Sequence, residues 1–301
     1  ALSKIRKFRE SIPDWLDELG VAELGEDIWE KEIGALNKQA PVIIRVNTLK
    51  TDIQTLQQKL KDEGFETINL KDYPYALQLV ERANIFKTES FQNGLFEVQD
   101  ASSQLVADFL DVKPGDRVVD TCAGAGGKSL HLAALMENKG QVIALDIYGN
   151  KLKELKRRAK RAGAHNIETR VIDNNKVIKK LHGKADKVLI DAPCSGLGVL
   201  SRNPDAKWKL EPEFLDRIRK TQQEIIRQYS KIVKKGGKMV YATCSVLPSE
   251  NQLQVKDFLA SEEGKDFKLI EDRKILSSET GYDGFYMALL EKSDSKTSEQ
   301  V

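Results

Sequence analysis

The stretch Arg117-Val118-Val119-Asp120-Thr121-Cys122-Ala123-Gly124-Ala125-Gly126-Gly127-Lys128-Ser129 decides how this chain folds. Residues 117–121 read as a short buried strand, the glycines open a loop, and an apolar-periodic helix follows to about residue 137. A strand that runs through a glycine-rich loop into a helix is the first unit of an α/β sheet. In such sheets the loops at the carboxyl ends of the strands hold ligands. Two nucleotide motifs nearly fit the loop, and both fail. A phosphate-binding P-loop requires Gly where Cys122 stands, and the dinucleotide fingerprint requires Gly where Ser129 stands. What remains is a loop of close approach with one acid, Asp120, ahead of it.

Downstream the alternation continues. Residues 101–110 read as a helix and Pro114-Gly115-Asp116 as a turn. Further strands are expected at 141–146, 169–172, 187–190, 238–243 and 285–291, with helices over 151–162, 211–233 and 250–260. This repetition predicts an α/β fold over residues 99–292: a doubly wound parallel sheet with right-handed crossovers and helices on both faces. The upstream pattern is different. A helical stretch over 4–35, a strand at 41–47, an amphipathic helix over 52–63 and weaker strands near 76–80 and 95–98 predict a small α+β module spanning 1–98. The polar segment 293–301 is expected to be a disordered tail.

Composition bounds the function. The 301 residues are 40 % hydrophobic and 31 % charged, as in ordinary globular chains, and leave room for two modest domains. A net charge of +2 gives no bulk attraction for nucleic acid, so any basic surface must be local. No apolar run approaches the roughly 20 residues of a membrane span, and the first residues lack a signal-peptide core, so no membrane partner is expected. Three cysteines build no disulfide framework and, with His131, His165 and His182, match no zinc spacing, so no metal is expected. Free thiols suit a reducing, cytoplasmic location.

The acids and thiols sharpen this. Asp146 ends the second strand, about twenty residues beyond Gly126, where a carboxylate can accept from both ribose hydroxyls. Asp173 follows the third strand, placed for an adenine edge. Acids and a glycine loop without a pyrophosphate motif fit an adenosine ligand such as S-adenosylmethionine; the plainer alternative is that they serve turns and helix caps. Asp191-Ala192-Pro193-Cys194-Ser195-Gly196 follows the fourth strand and Ala242-Thr243-Cys244-Ser245-Val246 the fifth, so both thiols border one pocket. A thiolate adding at C6 of a pyrimidine turns the ring into an enamine whose C5 can attack an electrophilic methyl. That chemistry needs a thiol, a group near N3 and the exocyclic amine, and a base for the C5 proton. Cys194, Cys244 and Asp191 are the candidates. For either thiol alone, packing as a small hydrophobe is the alternative.

On these residues the chain resembles the RNA cytosine-5 methyltransferases of the bacterial Sun/Fmu (RsmB-like) and eukaryotic Nop2/NSUN group. The likeness covers about residues 40–292. It is carried by 120–129, by 191–196 with Arg202-Asn203-Pro204-Asp205-Ala206-Lys207-Trp208, by 242–251 and by Asp283-Gly284-Phe285-Tyr286-Met287-Ala288. The resemblance implies a Rossmann-like class I methyltransferase domain after a small RNA-recognition-like module. It implies Cys244 as the nucleophile at C6, Cys194 as the residue that helps the methylated product leave, and Asp191 as the group holding the cytosine near N3 and N4. It implies S-adenosylmethionine bound by Cys122, Ala123, Gly124, Ala125, Gly126, Gly127, Lys128, Asp146, Asp173 and Asp191, with Lys128 at the methionine carboxylate. RNA is the implied partner, ribosomal RNA ahead of transfer RNA, and a monomer is favoured.

One departure is Ala125, where the family commonly has Pro before Gly-Gly-Lys; a modest effect on affinity is expected. The short front end is expected to leave no room for the NusB-like helical domain of some relatives. Arg202, Lys207 and Trp208 are expected RNA contacts, Trp208 by stacking on a base. Lys151, Lys153, Lys156, Arg157, Arg158, Lys160 and Arg161 on one helix, and Lys4, Arg6, Lys7 and Arg9 near the start, are further candidates for phosphates. A merely solvated face is the alternative for the helix. Two other functions stay open. A nicotinamide-dependent oxidoreductase is disfavoured by the failed fingerprint. A non-catalytic RNA-binding or ribosome-assembly factor is disfavoured by the intact Asp191, Cys194 and Cys244.

Overall fold

Four short apolar runs pair first: Ile43–Val46 (β1), Thr67–Asn69 (β2), Ala76–Leu79 (β3) and Phe96–Val98 (β4) form an antiparallel sheet in the order β2-β3-β1-β4. β2, with only three residues, gave no readable signal in the sequence. The helix Ile53–Asp62 starts where the Asp52 side chain accepts from Thr55 N–H at 2.8 Å, and it buries Leu56 and Leu60 one turn apart. Alternation along β1 divides its side chains. Ile44 and Val46 meet Leu56, Leu60, Leu77 and Phe96 in the core beneath the helix. On the other face Ile43 packs with Ala76 and Ala101, and the Arg45 guanidinium donates to Gly127 O at 2.7 Å. RNA-recognition modules stack bases on their open sheet face. Here the small α+β module expected from the sequence is present, and that face packs against the rest of the chain.

The computed structural model describes residues 4–294, so most of the expected disordered tail lies outside the described residues. Arg117–Asp120 (β5), Gln141–Asp146 (β6), Ile167–Val171 (β7), Ala185–Asp191 (β8) and Val233–Thr243 (β9) are parallel. Phe267–Ile275 (β10) and Phe285–Lys292 (β11) complete a seven-stranded sheet in the order β10-β11-β9-β8-β5-β6-β7. β11 runs antiparallel to β9, and β10 antiparallel to β11. The sheet is therefore mixed, five parallel strands with an antiparallel pair at one edge. Helices cover both faces: Leu130, Leu132, Leu152 and Leu155 pack on one side, and Ile226, Tyr229, Val255 and Phe258 on the other. The long helix expected to reach residue 233 ends at Tyr229, and after one tight turn Val233 already belongs to β9.

The first helices do not share the small sheet's core. Leu16, Trp29, Ile33 and Leu36, from helices Asp14–Leu24 and Glu26–Leu36, pack with Leu197, Leu200, Leu215, Val246 and Leu247. Within residues 1–98 the helical part and the α+β part thus have separate cores. The early cations are committed to acids: Arg6 pairs with Asp17 at 2.6 Å and with Glu26 and Glu30, Lys7 with Asp14 at 2.9 Å, and Arg9 with Glu10 and Glu30.

β5 is the middle one of the five parallel strands, and its last residue, Asp120, is buried. Ser129 Oγ donates to it at 2.7 Å. Burial, reinforced by the charge of Asp191, pushes its carboxyl from the ordinary 3.8 up to about 7. Between those values the folded protein holds a proton that the unfolded chain releases. This residue's effect on stability therefore worsens as pH rises from about 4 to about 7, then levels off. The variant Asp120→Asn removes that slope. Urea unfolding across this range is expected to show it gaining on the parent with rising pH, to roughly 2–4 kcal/mol above pH 7.

Candidate active site

The glycine loop is pinned to both neighbouring strands. Thr121 N–H donates to Leu189 O at 2.9 Å, and Ala123 N–H to Leu145 O at 2.9 Å. Gly126 has φ 88°, and a Cβ there would lie 2.4 Å from Leu155, so packing requires glycine. Gly124 has φ 55° but nothing within 4 Å of a Cβ position; it leaves room above the loop. Gly124 N–H donates to one Asp146 oxygen and Tyr148 N–H to the other, each at 2.8 Å. Each oxygen keeps a lone pair for a further donor. Beside that carboxylate Ile147 and Tyr148 are 59 % and 53 % exposed, an apolar shelf the sequence reading passed over. Its signal was an acid followed by two large apolar residues at a strand end. Asp173 lies one strand farther out, exposed, accepting from Asn174 Nδ2 at 2.8 Å.

Across the loop, Lys128 Nζ pairs with Asp191 Oδ2 at 2.6 Å and sits 5.3 Å from the centre of the Phe285 ring. Burial works against the ammonium, but the charge and hydrogen bond of Asp191 outweigh it, and the Lys128 pKa stands above its ordinary value. The sulfurs of Cys194 and Cys244 lie 3.3 Å apart. The hydrogen bond with Cys244 pushes the Cys194 thiol well up, followed by burial and by the charges of Cys244 and Glu250. Cys194 thus holds its proton tightly. Cys122 is different: burial, then Asp120, Asp191 and Asp146, push its thiol up, and its side chain packs against the core. It lines the loop as an inert thiol.

Residues missed in the sequence hold the two cysteine loops together. Glu250, fully buried, accepts from Ser195 N–H at 2.8 Å, Ser195 Oγ at 2.5 Å, Ser245 Oγ, and Gln222 Nε2 at 3.1 Å. Gln222 also donates to Pro193 O at 3.0 Å. Asn251 Nδ2 donates to Ser245 O at 2.8 Å, and Asn251 Oδ1 accepts from Thr243 Oγ1. At sequence distances of up to 55 residues these common polar types carried no signal.

The expected RNA contacts divide. Lys207 is buried, its ammonium donating to Glu10 O and Asn37 Oδ1 at 2.8 Å each, so it ties down the N-terminal helices instead of facing RNA. Arg202 bridges Asp283 at 2.7 Å and Asp100 at 2.8 Å, two acids whose side chains are buried. Trp208 is 57 % exposed. On the basic helix, Arg158 and Arg161 bind Glu97 and Arg157 binds Glu154, while Lys153, Lys156 and Lys160 stay exposed. Among the described residues no cluster of His, Cys, Asp or Glu could hold a metal ion, and no helix is long and apolar enough to cross a membrane.

Comparison with known proteins agrees with this geometry. Residues 12–86 match the ferredoxin-like domain of RsmF/B-like methyltransferases, and β1 to β4 have the matching strand order. The probable ribosomal RNA small subunit methyltransferase B of Bacillus subtilis (strain 168) is 35 % identical over 300 residues, covering 94 % of this chain and 66 % of its own. A protein of the same description from Synechocystis sp. is 35 % identical over 255 residues, covering 84 % and 57 %. The chain thus spans two thirds or less of these relatives' length. The solved structure of a methyltransferase homolog from Pyrococcus horikoshii superposes with a TM-score of 0.84 at 27 % identity, over 95 % of this chain and 97 % of that one. Residues 107–291, more than half of the sequence, match the family described as 16S rRNA methyltransferase RsmB/F, and the chain belongs to that family.

Proposed function

We propose that this chain transfers a methyl group from S-adenosylmethionine to C5 of a cytosine in RNA, ribosomal RNA ahead of transfer RNA, through a covalent bond between Cys244 and C6. One observation carries the reading: two thiols 3.3 Å apart, at the ends of adjacent parallel strands, beside the Lys128–Asp191 pair. The chain's residues fit the cofactor. Open space lies over Gly124, Asp146 has spare acceptor capacity for ribose hydroxyls, and Ile147 and Tyr148 offer an apolar shelf for adenine. Asp173 stands on the adenine side, and Lys128 is the partner for a carboxylate. The remaining loop residues, Cys122 to Gly127, supply close backbone approach. When bound, the cofactor supplies an electrophilic methyl group.

The protein's part is to make C5 nucleophilic and to move protons. Cys244, as thiolate, forms an S–C6 bond, and the displaced electron pair reaches C5, which takes the methyl. Asp191 holds the ring at N3 and N4. Cys194, after releasing its own proton to solvent, then takes the C5 proton as thiolate, the electrons of the C–H bond restore the C5–C6 double bond, and the S–C6 bond breaks to return Cys244 as thiolate. The pair times its own roles. Before attack, the hydrogen bond and charge of Cys244 keep the proton on Cys194. Once the Cys244 sulfur is bonded to carbon, both influences are gone, and Cys194 ionises more easily at the step that needs a base. Trp208, exposed near these loops in sequence, is the remaining candidate for stacking on RNA.

Cys244→Ser is expected to lower methyl transfer by roughly 10³-fold or more, and Cys194→Ala to accumulate a covalent RNA adduct on denaturing gels. Bisulfite mapping of RNA from cells with and without the protein identifies the cytosine; full activity in Cys244→Ser overturns the reading. Lys128→Ala is expected to weaken S-adenosylhomocysteine binding by about 10- to 100-fold in calorimetric titration. NAD is expected to give no heat of binding.

A further inference from the structure

Each cysteine loop repeats one local design. Cys194 is followed by Ser195, whose Oγ accepts from Leu197 N–H at 3.3 Å; Cys244 is followed by Ser245, whose Oγ accepts from Leu247 N–H at 3.2 Å. The two serine hydroxyls lie 3.3 Å apart, next to the two sulfurs at the same separation. Both hydroxyls converge on one oxygen of Glu250, and the other oxygen takes Ser195 N–H and Gln222 Nε2. No ion pair neutralises this buried acid among the described residues; hydrogen bonds alone hold it. Tyr241, at the end of β9, donates its hydroxyl to the Glu250 carbonyl at 2.8 Å, so the acid's backbone is anchored as well.

We propose that Glu250 is the positioning residue of the thiol pair: by tying Ser195 to Ser245 it fixes the Cys194 loop on the Cys244 loop and sets the distance between the sulfurs. This positioning role rests on the thiols being the catalytic pair, as proposed above, but the clamp itself is a matter of geometry. Four donors converge on the two oxygens of one carboxylate, and an amide replaces one of those acceptors with a donor. The loops are otherwise joined by Ala192 N–H to Ala242 O and Gly198 N–H to Cys244 O, each at 2.8 Å, and by the direct contact of the two serine hydroxyls. Loss of the clamp therefore frees Ser195 and Ser245 from their shared acceptor and leaves the two backbone bonds in place. A looser pair costs turnover, because a misplacement of about 1 Å can cost on the order of 10²-fold in rate. The ligand sites on the glycine loop lie outside the clamp.

The test uses the full chain and variants Glu250→Gln and Ser195→Ala/Ser245→Ala. The second keeps the acid with Ser195 N–H and Gln222, so the proposal stays testable if the first does not fold. Two readouts are needed. The first is the rate at which the oxidant diamide joins Cys194 to Cys244, the two thiol hydrogens passing to the reagent, followed by peptide mass spectrometry. The second is methyl transfer to RNA, separated into kcat and KM. Both variants are expected to cross-link on the order of tenfold more slowly and to lose about 10²-fold in kcat, with KM for RNA and S-adenosylhomocysteine affinity within about twofold of the parent. Parent-like cross-linking and turnover in the folded variants overturn the clamp. If the parent methylates no RNA but the cross-linking rates still separate, the clamp stands and the proposed activity falls.

Discussion

The parallel register of β8 against β9 is the constraint on which the site depends. Asp191 lies beside Ala242, and on the other side β5 places Asp120 beside Leu189. The glycine loop, Asp191 and both cysteine loops therefore leave the sheet at one edge. The register is fixed by two cores of different shape. Val188, Ile190, Met239 and Tyr241 face one, and Leu189, Val240 and Ala242 face the other. A slip of one residue would exchange Tyr241 for Ala242 between close-packed surfaces and turn Asp191 away from Lys128. Chemistry at the edge is thus specified by volumes in the interior.

A second constraint joins the small sheet to the glycine loop. Arg45 from β1 donates to Gly127 O at 2.7 Å, and Glu97 from β4 holds Arg158 at 2.8 Å, whose other nitrogen donates to Ala125 O at 2.9 Å. Asn47 spans the same boundary, donating to Gly94 O at 2.7 Å and Ala162 O at 2.8 Å. Burial lowers the Arg45 pKa to about 9, the cost of placing a guanidinium there. Such directional contacts orient the sheet more than they stabilise it. The backbone at Ala125 and Gly127 is held from the module side, where Pro would otherwise have fixed an angle at position 125.

These contacts also mark the limit of what the sequence shows. Strands β5, β6 and β8 were legible because buried parallel strands read as apolar runs. The glycine loop, Asp146, Asp191 and the cysteines were legible because rare residue types stand at strand ends. β10 was not: seven of its nine residues are exposed, and Glu271, Asp272, Arg273 and Lys274 mask the strand with charges that suit an edge. Lys207 and Arg202 stood beside a cysteine loop, but the carboxylates and carbonyls that engage them lie about 80 to 200 residues away in sequence. Glu250 escaped for the same reason. A lone charge in a sequence announces a demand for partners and says nothing of where they are.

Charge also shapes what the pocket can accept. Asp146 and Asp191 stand there with one ammonium, Lys128, among them, and Asp120 lies buried beneath. Their field bears on Cys122, whose thiol they help push up, and Glu250 bears in the same sense on Cys194. A pocket so biased favours a cationic ligand over a neutral or anionic one. It also opposes negative charge on Cys122 and Cys194. On the proposed reading, a sulfonium beside the sulfurs answers both demands, since the same acids that burden a thiolate attract the group that relieves it. Methyl transfer leaves a neutral thioether in its place. The attraction that drew the ligand in is then gone, while Asp191 and Lys128 remain paired across the loop. On that reading the acids favour exchange of spent ligand for fresh.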